Sequence, residues 1–122
     1  MVVDVVIGAN YGDEGKGLVA AHLGQITYDR CLSVLFNGGV QRGHTVNVNG
    51  EDGVVHTIGA ADCIDVKNHT YYHPNFMCDP IALMITGSKV FIDPMCRIVI
   101  PSDISTRSKE IERGSQRHGS CG

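Results

Sequence analysis

Ten residues near the start of the chain, G-A-N-Y-G-D-E-G-K-G (Gly8 to Gly17), put four glycines, two carboxylates and a lysine into one short loop. The loop lies between an apolar run, V-V-D-V-V-I (residues 2–7), and a helical pattern. Such a turn is the usual way to bring backbone N–H groups against a phosphate, with Lys16 as a point charge beside them. Two acids in that place would repel a phosphate unless a divalent cation lies between them or one of them acts as a base. Magnesium takes one or two carboxylates together with phosphate oxygens and water, and Asp13 and Glu14 suit that demand. Glu14 also has a plainer reading, a favourable charge near a helix N-terminus worth about 0.3–1 kcal/mol. The loop is not a Walker motif. G-x-x-x-x-G-K-[ST] would need glycine where Asn10 stands and Ser or Thr where Gly17 stands.

A second glycine-rich stretch, N-G-G-V-Q-R-G-H-T (Asn37 to Thr45), follows the next apolar run. Gly43-His44-Thr45 places an imidazole where backbone can approach a ligand. An ordinary pKa of about 6.5 suits His44 to proton donation or polarisation near neutral pH. A lone histidine is more often a satisfied structural residue, and that reading stands beside the chemical one.

The elements that must hold these loops follow from periodicity. Val2 to Ile7 reads as a strand buried on both faces, as in a parallel sheet. G-L-V-A-A-H-L-G has Leu18, Val19, His22 and Leu23 at helical spacing, with Gly24 as the stop. Cys31 to Phe36 reads as the next strand, which makes a right-handed βαβ unit the expectation. Asn49-Gly50 between V-N-V and V-V-H-T-I signals a hairpin, its turn lengthened by Glu51-Asp52-Gly53. Asp79-Pro80 offers an N-cap and an N1 proline for a short helix. Lys89 to Ile92 and Arg97 to Ile100 read as strands, and Ser105 to Arg113 as a polar helix ended by Gly114. The fold class is α/β: a mostly parallel sheet with flanking helices, a P-loop-like phosphate loop and a β-hairpin.

At 122 residues the chain is long enough for one core and too short for two. A net charge of −3 disfavours bulk binding to nucleic acid or an anionic membrane. No apolar run reaches membrane length, residues 1–7 lack the basic flank of a signal peptide, and a cytoplasmic protein is the expectation. Five cysteines without a C-x-x-C pair read as reduced thiols, not as a zinc ribbon or a disulfide framework.

Together, G-D-E-G-K-G behind an apolar run and G-G-x-x-x-G-H-T after the next strand pattern resemble the adenylosuccinate synthetase family. The similarity continues through Val54–His56, D-P-I-A-L (Asp79 to Leu83) and the closing G-S-C-G, which makes residues 1–122 the N-terminal portion of such a domain. A chain that stops in a third glycine-rich stretch is expected to be cut short and inactive alone.

The resemblance implies a GTP-dependent ligation of IMP and L-aspartate to adenylosuccinate through a 6-phosphoryl-IMP intermediate, with GDP and phosphate released. It implies Mg2+, held by Asp13 and the Gly43 carbonyl, and a homodimer. By this resemblance Asp13 is the base, His44 the acid supporting the transferred phosphoryl, and Lys16 a third catalytic group. Gly12, Asp13, Glu14, Gly15, Lys16, Gly17, Gly43, His44 and Thr45 would contact phosphate or GTP. Asp13, Gln41, Ser120 and Cys121 would contact IMP. The sequence departs from the family pattern at Asn10-Tyr11 (usually Gln-Trp), at Val40-Gln41-Arg42 (usually His-Asn-Ala), and at Ser120-Cys121 (usually two threonines). Recognition residues drift while the reaction residues stay, so two alternatives remain open. One is a viral-type relative that uses dGMP in place of IMP, although such relatives usually replace the aspartate retained here as Asp13. The other is a noncatalytic nucleotide-binding fragment.

Overall fold

The computed structural model describes residues 2–10, 12, 14–39, 42–87 and 89–103. Helix α1 (Lys16–Ile26) leaves the first glycine loop and is followed by strands β1 (Leu32–Leu35) and β2 (Gly38–Gly39). The hairpin β3 (His44–Val48) and β4 (Glu51–Val55) comes next, then a 3-10 turn at Ala60–Cys63. Strands β5 (His69–Tyr72) and β6 (Phe76–Cys78), helix α2 (Pro80–Thr86), and strands β7 (Val90–Ile92) and β8 (Arg97–Ile98) complete the order.

Two three-stranded sheets, β1-β5-β7 and β2-β6-β8, are parallel throughout. Each strand of the first sheet bends within a few residues into a strand of the second, so the sheets are three bent rows in one order. The α/β expectation therefore holds, as do the strands at 31–36, 89–92 and 97–100 in slightly shorter form. The α2 expectation also holds. Asp79 Oδ1 accepts the amides of Ile81 at 2.9 Å and Ala82 at 3.1 Å, satisfying two donors at the helix start.

The hairpin turns on Asn49 and Gly50 alone, both with positive φ (55° and 89°), which is the twist a two-residue connection between strands needs. Glu51, Asp52 and Gly53 do not lengthen the turn as expected; they pair with Val48, Asn47 and Val46. The Asn47 side chain closes the turn, accepting the Gly50 amide at 3.1 Å and donating to Asp52 at 2.7 Å.

Three other expectations need correction. Residues 2–7 form no strand, and Val2, Val3, Val5 and Ile7 are largely exposed. A doubly buried strand needs ladder partners and covering layers. This run instead lies along α1, where Tyr28 donates to Asp4, and the βαβ unit expected of residues 2–36 is not formed. Gly24 does not end α1, which continues to Ile26 with Thr27 as its C-cap. Gly24 is buried instead because a Cβ there would come within 2.5 Å of the Ala61 Cβ. The face α1 turns inward is also not the large apolar one. Gly17, Ala21 and Gly24 are buried, whereas Leu18, Val19 and His22 are exposed.

The core has two parts. Ala21, Val46 and Ala60 pack under α1 and the hairpin. Tyr72, Phe76 and Cys78 pack beneath the bent rows, with Leu35, Leu83, Val90 and Cys96 against them. Buried polar groups tie the parts together. The Asn68 amide accepts from the Cys31 N–H and donates to the Ala61 carbonyl, and Thr70 accepts from the Gly59 N–H while donating to Asp62. On the opposite side of the first sheet Leu32, Val34, His69 and Phe91 remain exposed. Cys31, Cys63, Cys78 and Cys96 are free thiols, as expected, and burial raises the pKa of each. The expected helix at 105–113 and Cys121 lie outside the described residues.

Candidate functional site: two glycine loops meeting at helix α1

The first loop delivers the chain into α1 through Gly15, whose φ of 74° is left-handed and whose missing side chain caps nothing. The opening amides of α1 are thus turned toward the loop, the arrangement that favours an anion. Glu14 is held by its own neighbours. Its carboxylate accepts from Lys16 Nζ and from the Asn10 amide, each at 2.6 Å. Those two contacts, the Lys16 side chain first, lower the Glu14 pKa. Glu14 therefore does not enter the first turn of α1 to meet its dipole; it neutralises Lys16.

The second loop ends where Gly43 gives way to β3, so His44 and Thr45 are strand residues paired with Val55 and Val54. Placing them on a strand fixes their direction. His44 is half-buried and points back to α1, where an added Cβ on Gly17 would lie 2.6 Å from the His44 Cβ. Only glycine at position 17 lets the strand come that close. This contact joins the two motifs and places the Lys16 charge within reach of the imidazole. Burial first, then the positive charges of Arg42, Lys16 and His56, hold the His44 pKa below its ordinary value. His44 is consequently a neutral imidazole at pH 7 in the absence of an anion.

Glu14, Gly15, Lys16 and Gly17 thus lead into α1, and His44 and Thr45 meet that end of the helix at Gly17, while Gly43 borders Val54 and His56. Asp13, Gln41, Ser120 and Cys121 lie outside the described residues. Among the described residues no three His, Cys, Asp or Glu side chains are grouped so as to hold a metal ion. No described helix is long and apolar enough to cross a membrane.

Arg42, one of the departures from the family pattern, is not on the surface. It is 6% exposed, donates from Nη2 to the Ile58 carbonyl at 2.8 Å, and sets its guanidinium 5.5 Å from the centre of the Phe76 ring. His56 was also missed as a neighbour of the site. Its Nδ1–H donates to the Arg42 carbonyl at 2.6 Å, and its ring borders Gly43. The signal available in the sequence was the V-V-H-T-I strand itself, since a hairpin returning from β3 must bring its far end back beside Gly43.

The family model for adenylosuccinate synthetase matches residues 5–122. The chain belongs to the adenylosuccinate synthetase family. It is 31% identical over 130 residues to the adenylosuccinate synthetase of Aliivibrio fischeri, covering 97% of this chain and 29% of that protein. It is 32% identical over 130 residues to the enzyme of Dichelobacter nodosus, with the same shares covered. The chain therefore spans under a third of the length of the curated relatives it matches.

Two solved structures share the fold. The fully ligated adenylosuccinate synthetase of Plasmodium falciparum superposes with a TM-score of 0.66 at 24% identity, over 89% of this chain and 28% of that one. The succinoaminodeoxyadenylate synthetase of cyanophage S-2L, bound to dGMP and to dATP as an energy donor, gives 0.65 at 20% identity, over 91% of this chain and 32% of that one.

Proposed function

We propose that this chain is the N-terminal, phosphate-handling part of a GTP-dependent ligase that joins IMP and L-aspartate into adenylosuccinate in AMP synthesis. The observation that carries this reading is the Gly17–His44 approach, which puts a lysine and a neutral imidazole on the two loops that the family motifs name. In this reading Lys16 leaves Glu14 and takes a nucleotide phosphate. The opening amides of α1 and the residues Gly12, Gly15 and Thr45 orient the same phosphates. His44 donates an N–H to an oxygen of the transferring phosphoryl. A phosphate's negative charge opposes the positive charge of Arg42 and Lys16, so His44 binds a proton more readily once the site is filled. Asp13 takes the purine ring proton, and Gln41, Ser120 and Cys121 meet the acceptor nucleotide.

The donors assigned to Mg2+ fit that ion. Asp13 is a carboxylate, and Gly43 is an exposed residue whose carbonyl is a hard oxygen donor. Bound there with nucleotide phosphates, Mg2+ would neutralise charge on the phosphoryl group as it moves. A homodimer and a cytoplasmic location complete the proposal.

The test is binding of GTP with Mg2+ to the 122-residue chain by calorimetry. Lys16→Ala should weaken binding at least tenfold and His44→Asn should weaken it less. Equal affinity in all three proteins would refute the assignment. Phosphate release with IMP and aspartate is expected to be absent from this chain, since it spans only part of its relatives; turnover would overturn the fragment reading. A second acceptor, dGMP, is suggested by the departures at Gln41, Ser120 and Cys121. Competition between IMP and dGMP for the longer protein would separate the two, with retention of Asp13 favouring IMP.

A further inference from the structure

The geometry points to Arg42 as a positioning residue that clamps the second glycine loop onto the aromatic floor, so that Gly43 and His44 are preset against α1 before any ligand arrives. Four contacts converge on this residue from three directions. Its side chain donates to the Ile58 carbonyl at 2.8 Å and lies over the Phe76 ring at 5.5 Å. Its amide donates to the Gly39 carbonyl at 3.1 Å, closing the loop on itself. Its carbonyl accepts from His56 Nδ1 at 2.6 Å. The floor is rigid in its own right: Phe76 and Tyr72 are fully buried with ring centres 4.4 Å apart, and the Tyr72 hydroxyl donates to the Thr57 carbonyl.

The Arg42 and Tyr72 side chains thus secure neighbouring carbonyls, 58 and 57, of one connecting segment. That segment leads from β4, the strand paired with His44, into the 3-10 turn. A guanidinium suits this task because its planar fork can donate in plane while its face lies on an aromatic ring. Lysine, with a single mobile ammonium, can do one or the other. Arg42 acts on His44 through its charge and through the backbone it holds, and its described contacts run to Gly39, His56, Ile58 and Phe76. Its value for catalysis rests on the proposed function, but the clamp itself can be tested without nucleotide.

Backbone amide NMR and hydrogen exchange on the whole 122-residue chain provide the test, comparing wild type with Arg42→Met and Arg42→Lys. Met keeps much of the volume without the fork; Lys keeps the charge without the fork. In Arg42→Met the Gly43 and His44 amide resonances should move. Exchange in the 42–46 segment should quicken tenfold or more, while the amides of β5 keep their protection. Arg42→Lys should not restore the wild-type spectrum. Where wild type binds GTP with Mg2+, both variants should bind at least tenfold more weakly. Unchanged resonances and exchange in Arg42→Met, or full rescue by Arg42→Lys, would overturn the proposal. So would loss of protection spread evenly over β3 and β5, which would make Arg42 an ordinary core residue. If Arg42→Met does not fold, the same readings on Arg42→Lys decide. A loosened loop in a chain that binds no GTP would support the clamp and refute the ligand assignment.

Discussion

The two glycine loops solve the same problem in opposite ways. The first is secured by its own sequence neighbours, with Asn10 and Lys16 both donating to Glu14. The second keeps one local pair, Arg42 to Gly39, but its other ties come from far away, from Ile58, His56 and Phe76. A loop whose pairs are local can exchange them for a ligand without disturbing the fold. A loop tied to distant carbonyls keeps its shape whether or not a ligand is present. One loop is thus built to adapt and the other to present, and they touch at Gly17 and His44.

The largest effect on this contrast should come from Gly17→Val, which drives a branched side chain into the His44 Cβ and so parts the loops where α1 meets the start of β3. A loss of about 3 kcal/mol is expected, at the upper end of ordinary overpacking, read from urea denaturation. A loss under a few tenths would mean that the helix and strand can separate freely, and the contrast between the loops would lose its meaning.

A smaller effect should appear at high pH in the floor beneath the second loop. Burial, with the negative charge of Cys78 next, pushes the Tyr72 hydroxyl up from 10.0 to about 12. The phenol is neutral in both states below pH 10, so Tyr72 does not alter stability there. Above it the unfolded chain releases this proton while the folded chain retains it, and stability falls as pH rises from 10 to 12. The expected loss is about 2 kcal/mol, and Tyr72→Phe should flatten that slope. Some slope should survive, since hydrogen bonds to Asp4 and Asp93 raise Tyr28 and Tyr71, and burial raises the thiols of Cys31, Cys63, Cys78 and Cys96. An unchanged slope in Tyr72→Phe would place the alkaline transition elsewhere. The smallest effect should be that of Glu14→Gln, which breaks only the local pair. Its unfolding curve should overlay wild type. A clear shift would show that the first loop, too, is tied into the fold.

Local chemistry made a good part of this legible from residue order. An Asn-Gly pair, a proline behind an aspartate and the short apolar runs of β1 and β7 carry their own instructions. Strands β5 and β6 escaped because His69, Thr70 and Tyr71 mix polar and aromatic types without alternation, and Thr70 is buried only because Gly59 and Asp62 satisfy it. Residues 2–7 misled for the opposite reason. Their β-propensity is high, but propensity does not supply partners. At the site, the motifs name Lys16 and His44 but not the Gly17 contact that brings their loops together, and the burial of Arg42 depends on residues 14 to 34 positions away. Asp13, Gln41, Ser120 and Cys121 lie outside the described residues and remain proposals.

The inward stripe of α1 has a consequence for how this helix tolerates change. Gly17, Ala21 and Gly24 fit there because they are small, not because they are greasy. Saturation mutagenesis along α1 should therefore sort substitutions by bulk on one side, where serine is milder than leucine at Ala21. On the other side, at Leu18, Val19 and His22, nearly any helix-forming residue should be accepted. An engineer who reads the helix by hydropathy would protect the wrong flank.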